Sequence, residues 1–142
     1  MTEPYRYAAS TSVPVERSKQ EIERLLRRHG ATAFAAMWSG ERYVVMFEMR
    51  SRRVRLDVPA PDRKKFRTDS KYDQEQRRRW RVLLLLLKSK LEMVASGDAD
   101  FDAEFLAYLS LPGDATVASR VLPALDELLK NGKMPPLLPG AP

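Results

Sequence analysis

Six apolar residues run without a break from Val82 to Leu87, inside a segment from Gln74 to Ser96 that reads as one long helix closed by Gly97. Helical geometry spreads six consecutive residues around the whole circumference, so this stretch has no polar side to offer water. Such a helix demands cover on every side, which makes it the centre of a core. A chain of 142 residues is long enough to supply that cover without disulfide staples. We therefore read residues 1–142 as a single α+β domain: an N-terminal helix, a three-stranded antiparallel meander, a long buried helix and two C-terminal helices.

The cover can be read on both sides of the long helix. Ser18-Lys19-Gln20-Glu21 has the spacing of a capping box, in which the first and fourth side chains satisfy each other's end amides, and predicts a helix start at Ser18. Ile22, Leu25 and Leu26 give that helix an apolar stripe, and His29-Gly30 gives it a stop. Residues 1–17 read as an extended arm. Strands follow at Thr32–Trp38, Arg42–Met49 and Arg53–Val58; the second and third alternate apolar with polar, so one face of the sheet is buried and the other is wet and basic. Arg50-Ser51-Arg52 lacks the glycine or asparagine that a tight primed turn prefers. Pro59-Ala60-Pro61 ends the sheet, and Asp62–Asp73 reads as a mobile polar loop. Asp100 is placed to cap a short helix carrying Phe101, Phe105, Leu106 and Leu109. Thr116 is placed to cap a final one with Val117, Val121, Leu122, Leu125, Leu128 and Leu129 inward and Pro123 as a kink or a delayed start. Residues 133–142 form a Pro-rich tail.

Charge is distributed as unevenly as hydrophobicity. Residues 42–90 carry 16 Lys/Arg against 6 Asp/Glu, a net of +10, whereas residues 91–142 carry 3 against 8. A basic middle of this strength predicts a polyanionic partner, most simply a nucleic-acid backbone, with DNA the expected form. The candidate contacts are Arg50, Arg52, Arg53 and Arg55 at the hairpin; Arg63, Lys64, Lys65 and Arg67 in the loop; and Arg77, Arg78, Arg79 and Arg81 at the start of the long helix. Guanidinium groups grip phosphate oxygens in pairs, and arginine outnumbers lysine among these. Cations in a first helical turn also oppose the helix dipole, a conflict that a bound phosphate would remove; with Ser70 as an earlier cap the arginines fall in the second turn and the conflict lessens.

Other chemistry is harder to build from these residues. The chain has no cysteine and one histidine, His29, which excludes disulfides and thiolate zinc sites and leaves no Ser–His–Asp triad to expect. Asp98, Asp100, Asp102 and Glu104 alternate like the start of a calcium loop, but Ala103 and Leu109 stand where glycine and glutamate belong, so helix capping is the better reading. Glu48 and Asp57 across the hairpin are the one carboxylate pair with which a metal-dependent nuclease could begin. Trp80 lies on the apolar stripe of the long helix and reads as core; Trp38 ends a strand near a turn. No cofactor, no metal and no catalytic residue is expected. The N-terminus has no apolar leader and the longest apolar run is too short to cross a bilayer, so the expectation is a cytoplasmic protein without a membrane partner. A host or phage protein and a second copy of the chain are the alternative partners.

Gln20-Glu21-Ile22 with Gly30-Ala31, Arg53-Val54-Arg55 leading to Pro59-Ala60-Pro61-Asp62-Arg63, Arg78-Arg79-Trp80-Arg81, Lys90-Leu91-Glu92, Glu104-Phe105-Leu106-Ala107-Tyr108 and Met134-Pro135-Pro136-Leu137-Leu138-Pro139-Gly140 together carry a likeness over nearly the whole chain. In these the chain resembles a group of small proteins encoded in tailed-bacteriophage genomes. The resemblance implies a viral setting in the host cytoplasm and brings no catalytic residue or cofactor. The helix–three strands–helix order also resembles the double-stranded-RNA-binding fold, from which the extra helices depart. The function expected is that of a non-enzymatic phage accessory protein that binds nucleic acid through an arginine-rich surface. The alternative is an interaction module that inhibits a host protein or takes part in virion assembly.

Overall fold

Alternation along Arg42–Met49 and Arg52–Pro59 builds the sheet, broken at Val44, which is buried at 2% exposure on the face opposite the core residues. In the computed structural model, which describes residues 6–132, strands β1 (Ala33–Ser39), β2 (Arg42–Met49) and β3 (Arg52–Pro59) form an antiparallel meander in the order β1-β2-β3. Tyr43, Val45, Phe47 and Met49 of β2 point to the core, with Val54 and Leu56 beside them on β3. Burial at or below 1% exposure, as at Val45, Phe47 and Leu56, contributes roughly 1.5–3 kcal/mol per side chain. Gly40, at φ 59°, makes the β1–β2 turn. The β2–β3 turn has only two residues, Arg50 and Ser51, since Met49 pairs with Arg52. Both lie in the left-handed region, at φ 52° and 60°, as a primed hairpin turn requires. The turn thus forms without the residues that favour it, at a cost of roughly 1–2 kcal/mol per residue.

Two helices pack on the core face of the sheet. Helix α1 spans Val15–Arg28 and helix α2 spans Asp69–Ala95; they lie against each other. Three sequence expectations are corrected here. Helix α1 begins at Val15 behind Pro14, so Ser18 is not a cap. Ser18 is fully buried against α2, and Glu21 accepts a hydrogen bond from Arg81 instead of turning back to the helix end. The capping-box spacing also puts both side chains on one helix face, where a tertiary arginine recruits them. Residues 15–17 are accordingly helical, residues 7–10 form a turn, and 11–14 of the described arm have no regular structure; Met1–Tyr5 and the Pro-rich segment 133–142 lie outside the described residues.

The second correction concerns residues 62–73. Asp62 accepts from the backbone N–H of Lys64 and starts a 3-10 turn over Arg63–Lys65. Thr68 caps α2 by accepting from the N–H of Lys71, so the helix starts at Asp69 rather than Gln74. The third concerns cover. Trp80, Leu83, Leu87 and Leu91 form a single buried stripe, while Leu85 is 39% exposed and Val82, Leu84 and Leu86 are half-buried. One sheet and one helix flank α2, which leaves its far side to solvent. Trp80 itself is core, as its stripe predicts: its ring tilts against Tyr43 at 5.1 Å and lies under the ammonium of Lys19 at 4.9 Å.

The C-terminal third begins with the expected cap, but its helix stops after one turn, so Phe105, Leu106 and Leu109 lie beyond it and Leu106 is exposed. Asp100 caps the one-turn helix α3 (Phe101–Glu104), and Phe101 and Phe105 are buried, with Phe105 edge-on to Phe47. A second 3-10 turn, Leu106–Tyr108, leads to a short hairpin of β4 (Ser110–Leu111) and β5 (Ala115–Thr116), and Leu109 bridges to Val54 of β3. Thr116 and Ser119 cap helix α4 (Val117–Asn131) reciprocally. Its apolar stripe does not face inward. Val121, Leu122, Leu125, Leu128 and Leu129 are 39–66% exposed, because among the described residues α4 touches only the Leu106–Tyr108 turn and β5 to any extent. No helix among the described residues is long and apolar enough to cross a membrane.

Candidate nucleic-acid interface

Twelve cations stand close together in sequence, but the fold gives most of them partners within the chain. On the outer face of the sheet, Arg53 donates to Glu48 at 2.8 Å and Arg55 forms a two-bond pair with Asp57 at 2.7 and 3.2 Å. The Asp57 pairing raises the pKa of Arg55 further. Arg42, on the same face, also reaches Asp57. Glu48 and Asp57 lie four rungs apart along β2, about 13 Å, each held by its own arginine; they do not converge as a metal-dependent nuclease would need. Arg52 forms a two-bond pair with Asp102, and Lys90 pairs with Glu104. Those two contacts are where the acidic C-terminal third quenches the basic middle.

The α2 arginines are turned inward. Glu75, buried on α2, accepts from Arg78 at 2.8 and 2.9 Å, from Arg79 at 3.1 Å and from Arg6 at 2.9 Å. Burial pushes its carboxyl up, but the hydrogen bonds from Arg78 and Arg79 and the charges of Arg78 and Arg6 outweigh burial and hold it at about 2. Arg79 also donates to the carbonyl of Pro59. Arg81 holds Glu21, whose carboxyl is lowered chiefly by that hydrogen bond. Arg77 donates to Gln74 and to the carbonyl of Thr11. With α2 starting at Asp69, Arg77–Arg81 fall in its third and fourth turns, so the dipole conflict expected of them does not arise there.

One group of exposed cations without a carboxylate partner among the described residues lies elsewhere. Lys64, Lys65, Arg67 and Lys71 are all exposed, at the 3-10 turn and the first turn of α2. The nearby acids are otherwise engaged: Asp62 caps the turn, Asp69 pairs with Arg63, and Asp73 accepts from Gln76. Arg63 is further held by the carbonyl of Phe66 and lies 5.8 Å from the Tyr72 ring. Arg50 faces the ring of Phe101 at 5.5 Å. The dipole conflict assigned to Arg77–Arg81 thus falls on Lys71, in the true first turn.

Beside this corner a cleft of about 700 Å³ opens at one end of the sheet. Arg42, Arg63, Lys65, Tyr72 and Trp38 line it together with the carboxylates of Glu41 and Asp62, and Trp38 is 71% exposed. Sequence reasoning left Lys71, Arg42 and Trp38 out of the basic constellation. The missing signal is the helix start: once Thr68 is recognised as the cap, Lys71 joins Lys64, Lys65 and Arg67. The four acids from Asp98 to Glu104 each have a structural partner: Ser96 for Asp98, the Ala103 N–H for Asp100, Arg52 for Asp102 and Lys90 for Glu104. No family model, curated protein or solved structure matches this chain.

Proposed function

We propose that the protein is a non-enzymatic nucleic-acid-binding accessory protein that grips phosphates at the corner formed by residues 63–71 and the cleft beside it. The observation that supports this reading is the division among the cations. Arginines at the hairpin and within α2 serve the fold, while Lys64, Lys65, Arg67 and Lys71 stand exposed without a carboxylate partner among the described residues. Folding gains nothing from cations gathered at the positive end of α2, and a phosphate there would be held both by them and by the helix N-terminal amides. Each phosphate neutralised releases counterions, so affinity has to fall steeply with salt. In the phage setting that the resemblance implies, the ligand is DNA or RNA in the host cytoplasm.

Fluorescence anisotropy with labelled single- and double-stranded oligonucleotides, titrated across a salt series, tests the reading. Binding at about 50 mM salt that weakens linearly in log–log form is expected. Replacing Lys64, Lys65 and Arg67 together by glutamine should reduce the salt slope by about 2–3, while Arg53→Gln should change it little. No affinity at about 50 mM salt would overturn the proposal.

One observation favours a second reading. Helix α4 presents five large apolar side chains to solvent on one face, the pattern of a helix awaiting a protein groove. On that reading the chain is an interaction module, such as an inhibitor of a host protein or a virion component. Retained partner capture after Leu125→Lys and Leu128→Lys would count against it.

A further inference from the structure

Strand β1 ends the sheet, and its outer edge is bare. Five of its seven residues are exposed, none is charged and none is proline. Natural sheets guard such edges with charge, proline or a covering element, because a row of unpaired N–H and C=O groups accepts any strand offered to it. No element among the described residues covers this one. The exposed side chains are Ala33, Ala35, Met37 (43% exposed) and Ser39 on the outer face and Trp38 (71% exposed) on the core face. Run antiparallel against itself about its middle residue, the strand sets Met37 over the small Ala35 on one face and Trp38 beside Phe34 on the other.

We propose that the occupant of this edge is a second copy of the chain, paired β1 to β1 across a twofold axis on Ala36. The register follows from the geometry. Cross-strand partners lie on the same sheet face, so the axis has to pass through a residue and not between two. Only Ala36 as that residue pairs the whole strand, with Ala33 opposite Ser39, Phe34 opposite Trp38 and Ala35 opposite Met37. Phe34, Ala36 and Trp38 share the core face, since they pair with Phe47, Val45 and Tyr43 of β2. The exposed Trp38 ring therefore meets the half-buried Phe34 of the partner subunit, twice by symmetry. On the outer face Met37 fills the space over Ala35 of the partner subunit. The product is a continuous six-stranded sheet with both α1 helices on one side. Helix α4 is also bare, but nothing there dictates a geometry; β1 dictates both its partner and the register.

The pairing has a consequence for the cleft, and this part rests on the nucleic-acid reading. With Ala33 of the partner subunit opposite Ser39, the last turn of the partner's α1 comes to the end of β1 where Trp38, Arg42 and Lys65 line the cleft. Arg28 of the partner subunit then extends the basic track, so the dimer binds a longer stretch of backbone than one copy does.

Sedimentation of the full chain from about 1 to 100 μM, without nucleic acid, tests the dimer directly. A mass of twice 16.3 kDa at the upper end is expected, and 16.3 kDa throughout for Met37→Lys, with an unchanged circular dichroism spectrum. The chain has no cysteine, so a single Ala36→Cys places two Cβ atoms about 5 Å apart on the axis. Oxidation should link that variant covalently and leave Met93→Cys, exposed on α2, unlinked. A monomer at about 100 μM, or crosslinking of Ala36→Cys no faster than of Met93→Cys, would overturn the dimer. Because no nucleic acid is present, either result leaves the phosphate-gripping corner to stand or fall on its own titration.

Discussion

Replacing Glu75 by glutamine keeps the shape of the side chain and removes the charge on which Arg6, Arg78 and Arg79 converge. The carboxyl sits at about 2 in the folded chain against 4.5 for a free one. Its folded pKa is depressed, so the stabilisation is fully present above about pH 4.5 and is lost as pH falls towards 2. A shift of that size corresponds to about 3 kcal/mol. Exposure of the arginines, from 16% for Arg78 to 51% for Arg6, screens part of it, and we set the loss on Glu75→Gln at about 2 kcal/mol near pH 7. At about 3 °C per kcal/mol for a chain of this size, the melting temperature should drop by about 6 °C. Urea titrations of both proteins at several pH values read the effect. The deficit should be largest at pH 7, shrink below about pH 4.5 and nearly vanish close to pH 2. A deficit below about 0.5 kcal/mol at pH 7, or one that stays constant down to pH 2.5, would refute the assignment of the cluster as a stabilising centre.

The hairpin turn offers an improvement: Ser51→Gly relieves a side chain held at φ 60° and should stabilise the chain by about 1 kcal/mol in chemical denaturation. Leu128→Ser, on the exposed face of α4, should change stability by less than about 0.5 kcal/mol, whereas Leu87→Ala in the core should cost about 2–5. The same denaturation experiments check both. Arg52→Gln breaks a two-bond pair whose members are about half exposed, and calorimetry should show a loss of no more than about 1 kcal/mol.

How much of this was legible depends on which interactions are local. Tyr43, Val45, Phe47 and Met49 announce β2 because alternation is a property of the strand itself. Asp100 and Thr116 announce their helices because a cap contacts a backbone three residues away. Ser18 misleads for the opposite reason: its partner is Arg81, sixty-three residues on, which no local pattern contains. The run Val82–Leu87 shows that residues are apolar and not what is near them, and Leu85 is left 39% exposed among the described residues. The basic constellation is legible as composition, but its division into fold-serving and free cations depends on where Glu21, Glu48, Asp57 and Glu75 land.

The two tryptophans give the molecule a pair of built-in optical gauges. Trp80, 1% exposed between Tyr43 and Lys19, emits from an apolar interior and reports loss of the core. Trp38, 71% exposed at the strand rim, emits to the red and is within reach of iodide. A ligand or a neighbour arriving at that rim would shift the red component alone, and denaturation would move the blue one, so a single unlabelled sample separates encounter from unfolding.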